Sequence, residues 1–148
     1  MLVHDVTVTL FNFHKATGKW YPTEFHNVSL TAVRADTGKA DAGTVNADMV
    51  EIIIRTAADK SNTECGVTVR YVGPKEYAAL ESPVGYFTFT PEQDFFYVGS
   101  VVATSYPEED YDDDNGFYHF MNKNHDGVYM IQSSTFYSLI PHFEIGGR

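Results

Sequence analysis

Val6-Thr7-Val8-Thr9-Leu10 alternates apolar and polar side chains. Successive strand residues point to opposite faces, so a period of two buries one face and wets the other. Lys15-Ala16-Thr17-Gly18-Lys19 follows as a turn, and Trp20-Tyr21 starts a return strand. The alternation recurs at residues 28–33 and 67–71. Residues 50–55 form a β-branched run that reads as a strand buried on both faces. Gly38 and Gly43 bracket a polar link before that run. Residues 86–89, 95–102, 128–131 and 135–140 read as further strands, with Asp126-Gly127 as a turn. Residues 74–80 suit a helix, because Pro74 stands in the first turn with good helix formers behind it. A second short helix is expected over 117–123. Eight or more short strands with few helices predict a mainly β fold: a small β-barrel or sandwich with one or two short helices and long loops.

A chain of 148 residues suits one domain, 1–148, and is long enough to bury a core. Hydrophobics at 43% and aromatics at 15% exclude a disordered chain. No apolar run is long enough to span a membrane. Met1-Leu2-Val3-His4-Asp5 lacks a basic stretch followed by an apolar one, so no secretory signal is expected. The single cysteine, Cys65, has no partner for an internal disulfide and reads as a reduced cytosolic thiol. The net charge of −10 is unevenly placed: up to Lys75, eight basic residues balance eight acidic ones, while from Glu76 onward two face twelve. Such a surface repels nucleic-acid phosphates and lacks the basic stripe of a DNA reader. It suits a solvated face, a negatively lined channel or a basic protein partner.

The acidic cluster Glu108, Glu109, Asp110, Asp112, Asp113 and Asp114 is the first place to look for a metal. Asp110, Asp112 and Asp114 have the one-three-five spacing of a calcium loop, but Asn115 stands where an EF-hand needs glycine and Met121 where it needs glutamate. The loop fails both tests. His4, His14, His26, His119, His125 and His142 show no spacing that places two on one face, so no metal ligands are assigned. There is no Gly-x-Ser-x-Gly elbow, P-loop or dinucleotide fingerprint, and Cys65, between Glu64 and Gly66, has no cationic sequence neighbour to activate it. No catalytic residue and no cofactor follow, and the expectation is a protein that is not an enzyme.

Aromatic density is the remaining signal. Phe117, Tyr118 and Phe120 crowd one segment, and Phe136, Tyr137 and Phe143 follow. Most of them suit a core, yet aromatics beside a charged rim also suit a protein interface. In Pro141-His142-Phe143-Glu144-Ile145-Gly146-Gly147-Arg148, proline ends the preceding strand and Phe143 alternates with Ile145. That pattern predicts an edge strand able to add to a neighbour's sheet, with Gly146-Gly147 as a hinge delivering Arg148. Residues 108–148 are therefore expected to make subunit contacts. The anchors would be Phe117, Tyr118, Phe120, His142, Phe143, Ile145 and Arg148, with the acidic loop as a channel lining or docking face.

The segment Gly116-Phe-Tyr-x-x-Met-Asn-x-x-x-Asp-Gly-Val128 and the ending Leu139-Ile-Pro-His-Phe-Glu-Ile-Gly-Gly147 resemble small structural proteins of tailed bacteriophages and prophages. The opening Asp5-Val-Thr-Val-Thr-Leu-Phe-Asn12 resembles their start. These are proteins of the head–tail region, described as minor capsid or head–tail connector proteins. The resemblance covers both ends of the chain and implies a neck component: a head-closure (stopper) or adaptor ring beneath the portal. It also implies a small β-barrel with long loops reaching adjacent subunits. Such a protein would be a homo-oligomer assembled in the host cytoplasm and carried in the virion. It would contact portal, adaptor and tail proteins, with DNA passing through unread. A tail-terminator ring is the alternative within that biology. A carbohydrate- or calcium-binding β-sandwich module using Trp20, Tyr21 and the acidic loop is the alternative from another class, and a small hydrolase is a third.

Overall fold

In a computed structural model, which describes residues 2–34 and 48–148, the alternating segments become the staves of a closed barrel. Strand β1 (Leu2–His14) turns through Gly18, at φ 68°, into β2 (Lys19–Arg34), a 16-residue strand. β3 (Asp48–Arg55) pairs with the second half of β2, Ser29 opposite Ile53. β4 (Ser61–Glu64), β5 (Val67–Tyr71) and β6 (Tyr86–Phe87) form a separate three-stranded sheet, with helix α1 (Pro74–Ala79) between β5 and β6. β7 (Phe95–Val98), β8 (Tyr106–Pro107), a 3-10 segment (Glu108–Asp114) and helix α2 (Phe117–Asn124) follow. β9 (Val128–Tyr137) and β10 (His142–Gly147) end the chain.

The main sheet runs β1-β7-β9-β10-β3-β2, and β2 also pairs with β1, so six antiparallel strands close on themselves while β8 adds to β2 outside the ring. Closure leaves no free edge among these six strands. The barrel reading of the sequence is the one that holds. Register shifts flank Val6, and Asp5 and Asn27 take left-handed φ of 61° and 54°. Such bulges let a long strand bend around a small barrel.

Alternation decides which side chains fill it. Val8, Leu10, Phe25, Ile52, Ile54, Phe96, Ile131, Phe143 and Ile145 point inward, and Phe87 and Phe89 from the small sheet and its exit join them. Residues of opposite parity, Phe11 and Phe95, point out of the barrel and meet Trp20, Phe117, Met121 and Val128 in a second cluster under α2. Phe11 therefore stacks on Phe95 at 5.0 Å and meets Phe117 edge-on at 5.1 Å.

Three expectations need correction. Residues 50–55 are not buried on both faces: Val50, Ile52 and Ile54 are buried, while Glu51 and Arg55 are exposed and Ile53 is half-buried. The strand from Phe95 stops at Val98, and Val102 lies fully exposed in the loop beyond. Residues 128–137 form one strand rather than the tips of two, so the chain ends on β10. The polar link around Gly38 and Gly43 lies outside the described residues.

Candidate functional site

The acidic segment forms two 3-10 turns kinked at Tyr111 rather than an open loop, and its members divide. Glu108 is structural: its Oε1 accepts from Trp20 Nε1 at 2.9 Å and from the Phe117 backbone N–H at 2.9 Å. One carboxylate thus ties β2 to the first turn of α2, where an unpaired N–H welcomes an anion. Glu109, Asp110, Asp112 and Asp113 are exposed and Asp114 is half-buried. Among the described residues no group of three histidine, cysteine, aspartate or glutamate side chains could hold a metal ion.

The expected aromatic anchors separate in the same way. Phe117 is 1% exposed in the second cluster, so it is a core residue and not a contact surface. Tyr118 and Phe120 are half-buried against that cluster, Tyr118 edge-on to Phe95 at 5.1 Å. Trp20 is buried too, which removes it as a sugar-stacking platform.

The expected edge strand at the C-terminus is corrected most. β10 pairs on one side with β3, Ile145 opposite Ile52, and on the other with β9, Phe143 opposite Phe136. Both its edges are used, and Phe143 and Ile145 are interior. Gly147 is no hinge: a Cβ there would stand 3.2 Å from Tyr129 Cβ and 3.4 Å from Val50 Cγ2, so a smaller side is needed where strands approach closely. Arg148 exchanges two backbone hydrogen bonds with Met130, at 2.8 and 2.9 Å, which continues the ladder to the last residue.

His142, on the outward side of β10, is braced. Its Nδ1 lies 2.6 Å from the Ile140 carbonyl and its Nε2 2.9 Å from Glu144 Oε2, with the Tyr137 ring stacked on it at 5.0 Å. Both partners accept, so the ring satisfies both bonds as an imidazolium. The Glu144 bond first, then the Ile140 carbonyl, raise its pKa above the usual histidine value. This bracing fixes the β9–β10 turn, where Leu139 is 96% and Ile140 73% exposed.

A groove of about 640 Å³ runs between the first half of β2 and the small sheet, a site the sequence reading did not assemble. Val67, Val69, Val84, Tyr86 and Val101 line it, with Val84 74% exposed. Its polar end is built by Glu24, His26 and Glu64. His26 Nε2 lies 2.8 Å from Glu24 Oε2, the His26 backbone N–H donates to both Glu64 oxygens at 3.0 Å, and Thr7 Oγ1 meets His26 Nδ1 at 3.2 Å. Cys65 stands at the rim in the β4–β5 turn, where Cys65 and Gly66 take φ of 51° and 78°. Two successive left-handed residues are the geometry of a tight two-residue hairpin. The one sequence signal of this groove was Val67 and Val69 on a strand whose alternation promised an apolar face; that face is only partly covered.

Residues 3–148 match the family of unknown function DUF6751. The chain belongs to that family. No curated protein and no solved structure matches it. The match covers all of the barrel strands but the first residue of β1, together with the groove-lining residues and the β9–β10 turn. Among the described residues of this DUF6751 chain, no helix is long and apolar enough to cross a membrane.

A buried polar node lies outside both surfaces. Asp94 is fully buried and accepts from Asn12 Nδ2 at 2.8 Å, Thr90 N–H at 3.0 Å, Phe13 N–H at 3.1 Å and Gln93 Nε2 at 3.2 Å. Burial pushes its carboxyl up to about 6, against those four hydrogen bonds, which pull the other way. Asn12 also bridges to the Thr88 backbone, accepting at 3.3 Å and donating at 2.7 Å. Every partner of Asp94 belongs to the fold, and the node joins β1 to the start of β7.

Proposed function

We propose that this chain is a virion structural protein of the head–tail connection of a tailed bacteriophage or prophage, a stopper or adaptor ring subunit below the portal. The observation that carries the reading is a closed antiparallel barrel whose β9–β10 turn holds Leu139 and Ile140 out in solvent. That turn opens Leu139–Gly147, one of the three stretches on which the resemblance to neck proteins rests. Two adjacent apolar side chains braced in the open suit a contact with another protein, which would remove them from water. The exposed carboxylates of the 3-10 segment suit a ring through which DNA slides, since they repel phosphates.

Deleting the gene from a producing phage or prophage tests the proposal. The expected outcome is heads and tails that accumulate separately, with infectious particles restored by a plasmid copy. The purified chain should also be found by mass spectrometry in intact particles. Normal yields of tailed, infectious particles without the gene would overturn the reading.

A further inference from the structure

The chain carries a protruding apolar tip and a separate apolar groove, and we propose that the Leu139–Ile140 tip of one copy seats in the β2–small-sheet groove of a second copy. The proposal deepens the ring-subunit reading above by naming the contact between neighbours.

Four observations support it. Leu139 and Ile140 are almost bare, and the tip is held ready by the His142–Ile140 bond and by Thr56 N–H donating to the Pro141 carbonyl at 3.2 Å. A rigid tip loses little freedom on docking. The groove, at about 640 Å³, has room for two branched side chains, and its walls are largely apolar through Val67, Val84, Tyr86 and Val101. Charges match: exposed Arg55 sits opposite His142 in the ladder, and Lys60 lies over the Phe136 ring at 5.0 Å, while the groove lining holds Glu24 and Glu64 and neither lysine nor arginine.

The fourth observation is geometric. No residue of the β9–β10 turn lines the groove. Leu139 and Ile140 stand in solvent while the groove is open, so a tip does not fill its own groove. Each copy therefore offers one knob and one hole. Such a head-to-tail contact repeats until its rotation closes a ring or runs on as a filament.

Cys65 at the groove rim supplies the test. Two differently tagged forms are co-expressed in cells assembling particles, one carrying Leu139→Cys with Cys65→Ser, the other the natural Cys65. After mild oxidation with copper–phenanthroline, non-reducing gels should show a disulfide heterodimer of the two tags. Either form alone should give little homodimer, and adding Val84→Asp to the Cys65 form should reduce the heterodimer at least tenfold. Monomers only, homodimers as abundant as the heterodimer, or capture of the tip cysteine by a different protein would overturn the contact. Whether the tagged chains sediment with particles is read separately and bears on the neck reading alone.

Discussion

At the scale of single residues, Asp94 shows how a charge is kept inside a barrel wall. All four of its partners donate, which favours the carboxylate, while burial favours the acid, and burial wins by lifting the pKa from 3.8 to about 6. The folded chain thus binds the proton more tightly than the unfolded one. The stability from Asp94 is fully present below about pH 4 and is lost as pH rises through about 6. A two-unit displacement corresponds to about 3 kcal/mol. Urea unfolding at steps from pH 3.5 to 7 should show wild type losing up to that amount relative to Asp94→Asn, with the difference constant above pH 7. A difference that does not change with pH would refute the assignment. None of this was legible in the sequence, where Asp94 is one of twelve acidic residues from Glu76 onward. Its partner Asn12 lies 82 positions away.

At the scale of elements, Glu108 decides how α2 lies on the barrel. Removing it leaves the indole N–H of Trp20 and the backbone N–H of Phe117 without their acceptor. Glu108→Ala should cost about 1–3 kcal/mol, seen as a lower urea midpoint. Glu109→Ala, one residue on and exposed, should stay within about 0.5 kcal/mol. Equal losses would show that the pair of bonds to Glu108 is unimportant. Elements with one wet face were readable, because β1, the second half of β2 and β5 announce themselves by local period. β10 was not. Pro141 and Gly146-Gly147 locally suggest an edge strand and a hinge, and only the partner strands β3 and β9 reveal why glycine is there. Val102 misled for the opposite reason, since an apolar residue read as strand ended up fully exposed in a loop. The groove was invisible for the same cause: β2 and the small sheet meet through tertiary packing that no local pattern records.

At the scale of the molecule, closure makes the last strand the keystone of the fold. Without residues 142–148, β9 and β3 would face each other with unpaired edges, and the barrel would lose buried Phe143 and Ile145. Two such side chains contribute about 3–6 kcal/mol, before any of the twelve residue pairings β10 makes are counted. Whole domains are stable by only about 5–15 kcal/mol. Truncation after Pro141 should therefore abolish the cooperative urea transition and the near-ultraviolet signal of the packed aromatics. Loss of Arg148 alone removes just its pair of bonds with Met130 and should leave a cooperative transition at slightly lower urea. A 1–141 chain that unfolds cooperatively at the wild-type midpoint would mean the ring of six strands is not the folding unit. It would also return the C-terminal segment to the role of a detachable arm.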